Sequence, residues 1–420
     1  MLLSIETAIQ VENIIRASYR LNSIAAETPV QFNRTLSEKY EANIYLKRED
    51  LQVVRSYKIR GAYNLMSQLP KEQAKKGIVC ASAGNHAQGV AYSCQLLGIN
   101  GKIYMPTTTP QQKIKRVQLL GKKYVEVVLC GDTYDAAFAE ARSYSEKSGK
   151  VLVPPFDHPL IVEGQGTVGV EILKQFKGHV DFLFIPVGGG GLSAGVGSYV
   201  KRLSPDTQII GAEPAGAPAM KRALEQGQVV MLDTIDTFVD GAAVRKVGEL
   251  PLEICRQILD DLVLVPEGKI CTFILSLYND DAIVVEPAGA LSIAALDFYR
   301  SEIKGKNVVC IVSGGNNDIE RMPEIKDRSL IYEGLKHYFI IKFPQRAGAL
   351  RDFLDKVLGA DDEITDFEYT KKHNRNSGPA MVGIELKHKE DYAPLIERMG
   401  ANNYEYIVVN DNYNLFSFLV

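Results

Sequence analysis

Short apolar runs and helical stripes alternate along most of the chain. From about residue 40 to 320, the runs Gly77 to Ala81, Lys102 to Met105, Val125 to Leu129, Phe182 to Val187, Ile209 to Ala212 and Val308 to Val312 read as buried strands. Helical patterns separate them. After Gly84, for example, Ala87, Val90, Ala91, Cys94 and Leu97 recur at three and four residues, and Gly98 closes the stripe. Apolar strands alternating with helices predict a parallel α/β fold.

The pattern changes after Asn316. Residues 321 to 336 are polar and charged without a long apolar run, which sets a boundary near 322 and makes 323–335 a linker. Beyond it, Tyr338 to Phe343 reads as a strand. A helix follows, with Leu350, Phe353, Leu354, Val357 and Leu358 on one face and Gly359 at its end. Strands at Ile364 to Thr370 and Ala380 to Leu386 flank the turn-like HNRNSGP. A helix marked by Tyr392, Leu395, Ile396 and Met399 and a strand at Tyr404 to Val409 complete the order βαββαβ, a ferredoxin-like domain over 336–420.

Composition narrows the class. A chain of 420 residues suits two or three domains, and 46% hydrophobic with 24% charged residues is the balance of a folded globular protein. The formal charge of -3, without a Lys/Arg block, offers no footprint for nucleic acid or an anionic membrane. Six scattered cysteines form no C-x-x-C pair, so a reducing, cytoplasmic location is expected rather than a zinc site or disulfide framework. The first twenty residues carry Glu6 and Glu12 and read as a helix, not a secretory signal. The most apolar window, Val180 to Val200, contains Asp181 and six glycines, which argues against a membrane span.

Four segments carry candidate chemistry. In PVGGGGL (Pro186 to Leu192), the glycines Gly188, Gly189, Gly190 and Gly191 follow an apolar strand and open a helix. Backbone without Cβ atoms lets a phosphate approach, and free N–H groups at the helix's positive end favour its charge. A tight strand-to-helix turn is the plainer reading. Gly189, Gly191 and Gly195, with Glu213 lying 22 residues beyond Gly191, also approximate a dinucleotide fingerprint, although its last interval is one residue too long.

SAGNHAQG (Ser82 to Gly89) joins a strand to a helix, so its amides suit a carboxylate. Asn85 adds a side-chain donor, and His86 is the candidate base. The alternative is a capping turn with Ser82 or Asn85 as cap. SGGN (Ser313 to Asn316) ends the strand VVCIV, where ligands of open parallel sheets collect, but is equally an ordinary loop entry. Lys58, in SYKIRGA (Ser56 to Ala62), reads by default as a solvated surface charge. An imine-forming lysine must lose its proton near neutral pH, which desolvation or a nearby cation such as Arg60 would assist.

Taken together, SYKIRGA, SAGNHAQG, PVGGGGL, EPAGA (Glu286 to Ala290) and SGGN stand in the order seen in fold-type II pyridoxal phosphate enzymes. Over nearly its whole length the chain resembles the threonine dehydratases. FPQRAGAL (Phe343 to Leu350) is similar to the start of that family's ACT-like regulatory domain. This displaces the dinucleotide reading. The resemblance implies a catalytic region over 1–322, built of two open parallel-sheet subdomains like the tryptophan synthase β subunit, and an ACT-like regulatory domain over 336–420.

By the same resemblance, Lys58 would bind the cofactor carbonyl, Asn85 its phenolate oxygen and Gly188 to Leu192 its phosphate. Ser313 would face the pyridine nitrogen. Ser82, Ala83, Gly84, Asn85 and His86 would hold the substrate carboxylate, and Gly241 in DGAAV would lie near the ring, while Glu286 receives no role. The implied reaction is dehydration and deamination of L-threonine to 2-oxobutanoate and ammonia, the first step of isoleucine biosynthesis, with Lys58 moving the Cα proton. A serine-preferring dehydratase and a catalytically decayed amino-acid-binding protein are the alternatives. Ala83 stands where a related serine racemase carries a second-face serine, and Ala219 offers no side-chain ligand to a divalent metal, so no metal requirement is expected. A metal held through backbone carbonyls and water stays open. Isoleucine and valine are the expected effectors, and a homo-oligomer, dimer or tetramer, is the expected assembly.

Overall fold

The computed structural model describes residues 9–369 and 376–410, and in it each of the six apolar runs forms a parallel strand. In chain order the strands up to residue 312 are β1 (Val30–Phe32), β2 (Asn43–Arg48), β3 (Ile78–Ala81), β4 (Gly101–Met105), β5 (Val125–Leu129), β6 (Val151–Leu152), β7 (Phe182–Pro186), β8 (Gln208–Pro214), β9 (Asp261–Val265) and β10 (Asn307–Val312). They make two sheets. The larger has the order β1-β2-β10-β7-β8-β9, parallel except for β1 at its edge, and the smaller is the parallel set β5-β4-β3-β6. Both central strands β3 and β10 are apolar and buried on both faces, as helix-covered parallel strands must be.

Helix Val11–Leu21 opens the described chain; the expectation of helix over Met1 to Ala8 lies outside the described residues. The stripe after Gly84 forms the helix Asn85–Leu97, closed by Gly98 in the left-handed conformation at φ 67°. No helix among the described residues is long and apolar enough to cross a membrane.

Two contacts fix the helix Lys58–Met66. Its backbone packs so tightly on helix Pro159–Gln175 that a Cβ at Gly164 would lie 2.6 Å from the Arg60 carbonyl oxygen. Next to that crossing, the buried Arg60 guanidinium donates twice to Glu49 at 2.8 Å and twice to Glu171 at 2.6 and 2.8 Å. Lys47 also reaches both carboxylates. The cluster therefore ties the end of β2, the helix of Lys58 and helix Pro159–Gln175 into one body.

The chain divides into two compact units, Met1–Glu267 with Ser276–Asn317, and Gly268–Leu275 with Asp318–Val420. The stretch 323–335, expected as a linker, is mostly helix Met322–Tyr332 of the second unit, a correction to the sequence reading. Only Ile325 and Ser329 of that helix are buried, so no apolar run announced it. The rest of the unit contains β11 (Lys336–Pro344), β12 (Glu363–Tyr369), β13 (Ser377–Glu385) and β14 (Tyr406–Val408) as the antiparallel sheet β12-β13-β11-β14, the expected ferredoxin-like arrangement. Thr370 and the turn residues His373 to Arg375 lie outside the described residues.

Helices Ala349–Lys356 and Tyr392–Ala401 pack over a core that includes Phe339, Ile341, Phe343, Val382, Ile384, Leu395 and Met399. The first helix buries Ala349 and Phe353, and Val357 just past its end is buried too, while Leu350 and Leu354 are 40% and 43% exposed, a correction to the expected face. Its buried stripe advances by four residues from a small residue that gave no apolar signal.

Removing the cation from the buried cluster leaves carboxylates without adequate partners, which is costly in a dry interior. Arg60→Ala is expected to lower unfolding free energy by about 3–5 kcal/mol in denaturant titration, whereas Arg34→Ala, which breaks an exposed pair with Glu38, leaves the denaturation midpoint essentially unchanged.

Candidate active site

Three of the sequence motifs start at the carboxyl ends of β3, β7 and β10. Lys58 is brought to them by backbone pairing. Tyr57 donates its N–H to the Ser313 carbonyl at 3.2 Å, Gly315 donates to the Arg55 carbonyl at 2.9 Å, and Ser56 bridges Gly314. Arg55 takes the left-handed conformation, φ 54°, to make this turn.

Lys58 is the first residue of its helix, and its Nζ donates to the Pro155 carbonyl at 2.9 Å. Desolvation pushes its pKa down to about 8, against the opposing pull of Glu286. It is half-buried in the structure rather than a solvated surface charge. Arg60, expected to assist, is instead neutralised by Glu49 and Glu171, so burial is the cause.

The residue after Pro155 shapes the glycine loop. A Cβ at Gly189 would enter the ring of Phe156, and one at Gly188 would stand 2.7 Å from the Ala242 carbonyl oxygen. Gly190 has φ 88° and precedes the helix Gly191–Leu203, whose second residue, Leu192, is buried. These contacts require glycine and set the loop at a helix N-terminus, a cradle whose N–H groups suit an anion. Pro155 and Phe156 thus link Lys58 to the cradle. Neither stands out in the sequence, where the only hint is an aromatic residue in the proline-containing segment after β6.

The loop from Ser82 to Gly84 leads into helix Asn85–Leu97. Gly84 is the cap position, and neither Ser82 nor Asn85 caps the helix with its side chain, contrary to the capping alternative. Ser82 Oγ accepts from the Gly84 N–H at 3.2 Å, Ala83 is half-buried, and the position of a Cβ on Gly84 meets open space. His86 is buried, with Nε2 donating to the Val153 carbonyl at 2.9 Å; burial, and next the Lys58 charge, push its pKa down to about 3. Its proton is therefore committed to a carbonyl at Nε2, and the ring is neutral, which makes it a poor base.

Asn85 Nδ2 donates to Glu286 Oε1 at 2.6 Å, and Asn85 Oδ1 accepts from Asn316 Nδ2 at 2.6 Å. Gly241 adjoins both, since a Cβ there would lie 3.6 Å from Glu286 Oε1 and 3.9 Å from Asn85 Nδ2. The sequence shows Asn316 and Glu286 only as members of SGGN and EPAGA, with nothing there to assign either a role. Ser313 is buried, and its hydroxyl donates to the Ala288 carbonyl at 3.0 Å.

The dinucleotide reading fails on two contacts. Gly195 sits where a Cβ would strike Val162 and Gly166 of the neighbouring helix, so it serves helix packing. Glu213 accepts from the N–H groups of Met220 and Lys221 at 2.6 and 2.9 Å, buried and with its pKa raised to about 8 by desolvation, and so is not presented to a ribose. The segment bearing Gly241 is tied to helices Gln111–Gly121 and Tyr134–Ser148 beside the smaller sheet by Lys113–Asp240 at 2.6 Å and Arg245–Asp135 at 2.9 Å.

An amine that ionises near neutrality suits a carbonyl carbon, the cradle suits a phosphate, and a neutral hydroxyl suits an unprotonated ring nitrogen. Two open parallel sheets sharing such groups place the molecule among the fold-type II pyridoxal phosphate enzymes.

Comparison with known proteins narrows this. Residues 22–314 match the family of pyridoxal-phosphate dependent enzymes, and residues 327–419 match the C-terminal regulatory domain of threonine dehydratase. The chain is 61% identical to a biosynthetic L-threonine dehydratase of Halalkalibacterium halodurans, covering 98% of this chain and 99% of the relative, and 58% identical to that of Bacillus subtilis, covering 100% and 99%. Among solved structures, it is similar to the processed form of threonine deaminase isoform 2 from Solanum lycopersicum, 43% identical with a TM-score of 0.71, over 76% of this chain and 94% of that one. The chain belongs to the biosynthetic threonine dehydratases.

With a pKa of about 8, the neutral fraction of Lys58 rises from about one tenth at pH 7 to about nine tenths at pH 9. Only the neutral amine attacks a carbonyl. The rate at which apoprotein recaptures pyridoxal phosphate, followed by visible absorbance, is expected to climb several-fold over that interval and to level off above it.

Proposed function

We propose that this chain deaminates L-threonine to 2-oxobutanoate and ammonia, using pyridoxal phosphate, as the committed step towards isoleucine. The observation that carries the reading is the meeting of a half-buried lysine, its proton affinity lowered by desolvation, with a neutral serine on the adjoining strand end. Lys58, Asn85, Gly188, Gly189, Gly190, Gly191, Leu192 and Ser313 are assigned to the cofactor. Ser82, Ala83, Gly84, Asn85 and His86 are assigned to the substrate carboxylate, through N–H groups at the positive end of helix Asn85–Leu97.

Pyridoxal phosphate supplies, when bound, a ring that withdraws the bonding pair of the substrate Cα–H. Lys58, once its amine is free, removes the Cα proton, for which a pKa of about 8 is well matched to neutral pH. Its ammonium form then returns a proton to the departing β-hydroxyl, so water leaves. The resulting enamine hydrolyses to the 2-oxo acid and ammonia. Ser313, being neutral, does not hold a proton on the ring nitrogen as a carboxylate would, which favours elimination over transamination. Ala83 has no hydroxyl with which to return a proton from the opposite face.

Catalysis is assigned to residues 1–322 and amino-acid sensing to 336–420, with the helix Met322–Tyr332 occupying most of the interval between them. Isoleucine, with valine second, is the effector, and the enzyme is a cytoplasmic homo-oligomer.

The test is release of 2-oxo acid from L-threonine and from L-serine by purified protein, with and without L-isoleucine. Threonine turnover above that of serine, suppressed by isoleucine, is expected. Turnover indifferent to isoleucine removes the effector assignment, serine preference makes this a serine dehydratase, and no turnover of either substrate sinks the catalytic assignment. A companion variant, Gly189→Ala, sets a methyl group against Phe156 and is expected to weaken cofactor binding at least tenfold in absorbance titration.

A further inference from the structure

The side chain of Asn85 is held at both ends by partners of opposite kind. Its Nδ2 meets a carboxylate oxygen of Glu286, an acceptor, and its Oδ1 meets the Nδ2 of Asn316, which only donates. An asparagine amide has no preferred orientation of its own, and here the two neighbours decide it.

Both neighbours are themselves fixed. Asn316 Nδ2 also donates to the Val54 carbonyl at 2.9 Å. Glu286 is buried, stands immediately before helix Pro287–Ala294, and donates its backbone N–H to the Gly314 carbonyl at 3.3 Å. Its carboxylate lies so close over Gly314 that any side chain there would overlap Oε1. One N–H of Asn85 Nδ2 is thus committed to Glu286 and one is left to give.

We infer that Glu286 and Asn316 are positioning residues that orient the Asn85 amide, so that it presents its remaining N–H, and not its oxygen, to an anionic ring oxygen of the cofactor. The inference rests on the assignment of Asn85 to the cofactor. Without Glu286 the amide can turn over and offer a lone pair to that oxygen, which repels it.

The experiment uses full-length protein as wild type and as Glu286→Leu, Glu286→Gln, Asn85→Ala and the double variant Glu286→Leu with Asn85→Ala. Each is measured for pyridoxal phosphate affinity, the visible band of the bound cofactor, kcat and KM for L-threonine, and thermal unfolding of the apoprotein. Glu286→Leu is expected to weaken cofactor binding at least tenfold and shift the band as Asn85→Ala does. The double variant should be no worse than Asn85→Ala alone, because the two act through one hydrogen bond. Glu286→Gln keeps an acceptor and should stay within about threefold of wild type in affinity.

Additive losses in the double variant, or a wild-type band and affinity in Glu286→Leu, overturn the inference. An unchanged band and affinity in Asn85→Ala instead sinks the assignment of Asn85 beneath it. Asn316→Leu removes the donor from the other end of the amide and carries the same expectation if Glu286→Leu does not fold.

Discussion

Arg60 stands between two carboxylates from different parts of the chain, Glu49 just beyond β2 and Glu171 in helix Pro159–Gln175, and much of the site depends on that clamp. Lys58 lies two residues earlier in the same short helix. A lysine at the end of a helix would ordinarily swing towards water and keep its proton. Here the helix is pinned by charge-assisted hydrogen bonds on one side and by close backbone packing at Gly164 on the other, so the amine stays where solvent is scarce. The ions do not touch the chemistry. They make desolvation of the amine a fixed property of the fold, and hydrogen bonds on both sides satisfy the guanidinium.

The rest of the site follows a consistent division of charge. The groups assigned to the cofactor away from Lys58 are neutral: backbone N–H groups in the cradle, the Asn85 amide and the Ser313 hydroxyl. The buried carboxylate of Glu286 is engaged by the Asn85 amide. His86 is kept neutral by burial and by a carbonyl. A site with little fixed charge leaves the ionisation of one amine to set the pH response.

Much of this was legible in the chain because parallel strands buried on both faces write themselves as unbroken apolar runs. β5 matched its expected limits, and the other five catalytic runs shifted by one or two residues at their ends. The glycine loop and the SAGNHAQG segment were legible because their residue types are costly without a purpose. What escaped notice depended on distant partners. Arg60 reads as a free cation that would help Lys58 lose its proton until Glu49 and Glu171 are folded against it. Phe156 reads as loop filler until it lies on Gly189, and Glu213 reads as a ribose ligand until it meets the amides of Met220 and Lys221. Helix Met322–Tyr332 was missed because it buries only one strongly apolar residue, Ile325.

The seam formed by Lys113–Asp240 and Arg245–Asp135 is of another character from the Arg60 clamp. Its members are half-exposed or exposed, and Arg245 also donates to the carbonyls of Leu232 and Asp233, so it remains anchored on its own side when the pair breaks. Pairs bathed in water are worth about 1 kcal/mol at most, less than twice the thermal energy, and dissolved ions compete for them directly. Thermal motion and dissolved salt can therefore loosen this seam while leaving the buried Arg60 clamp nearly untouched.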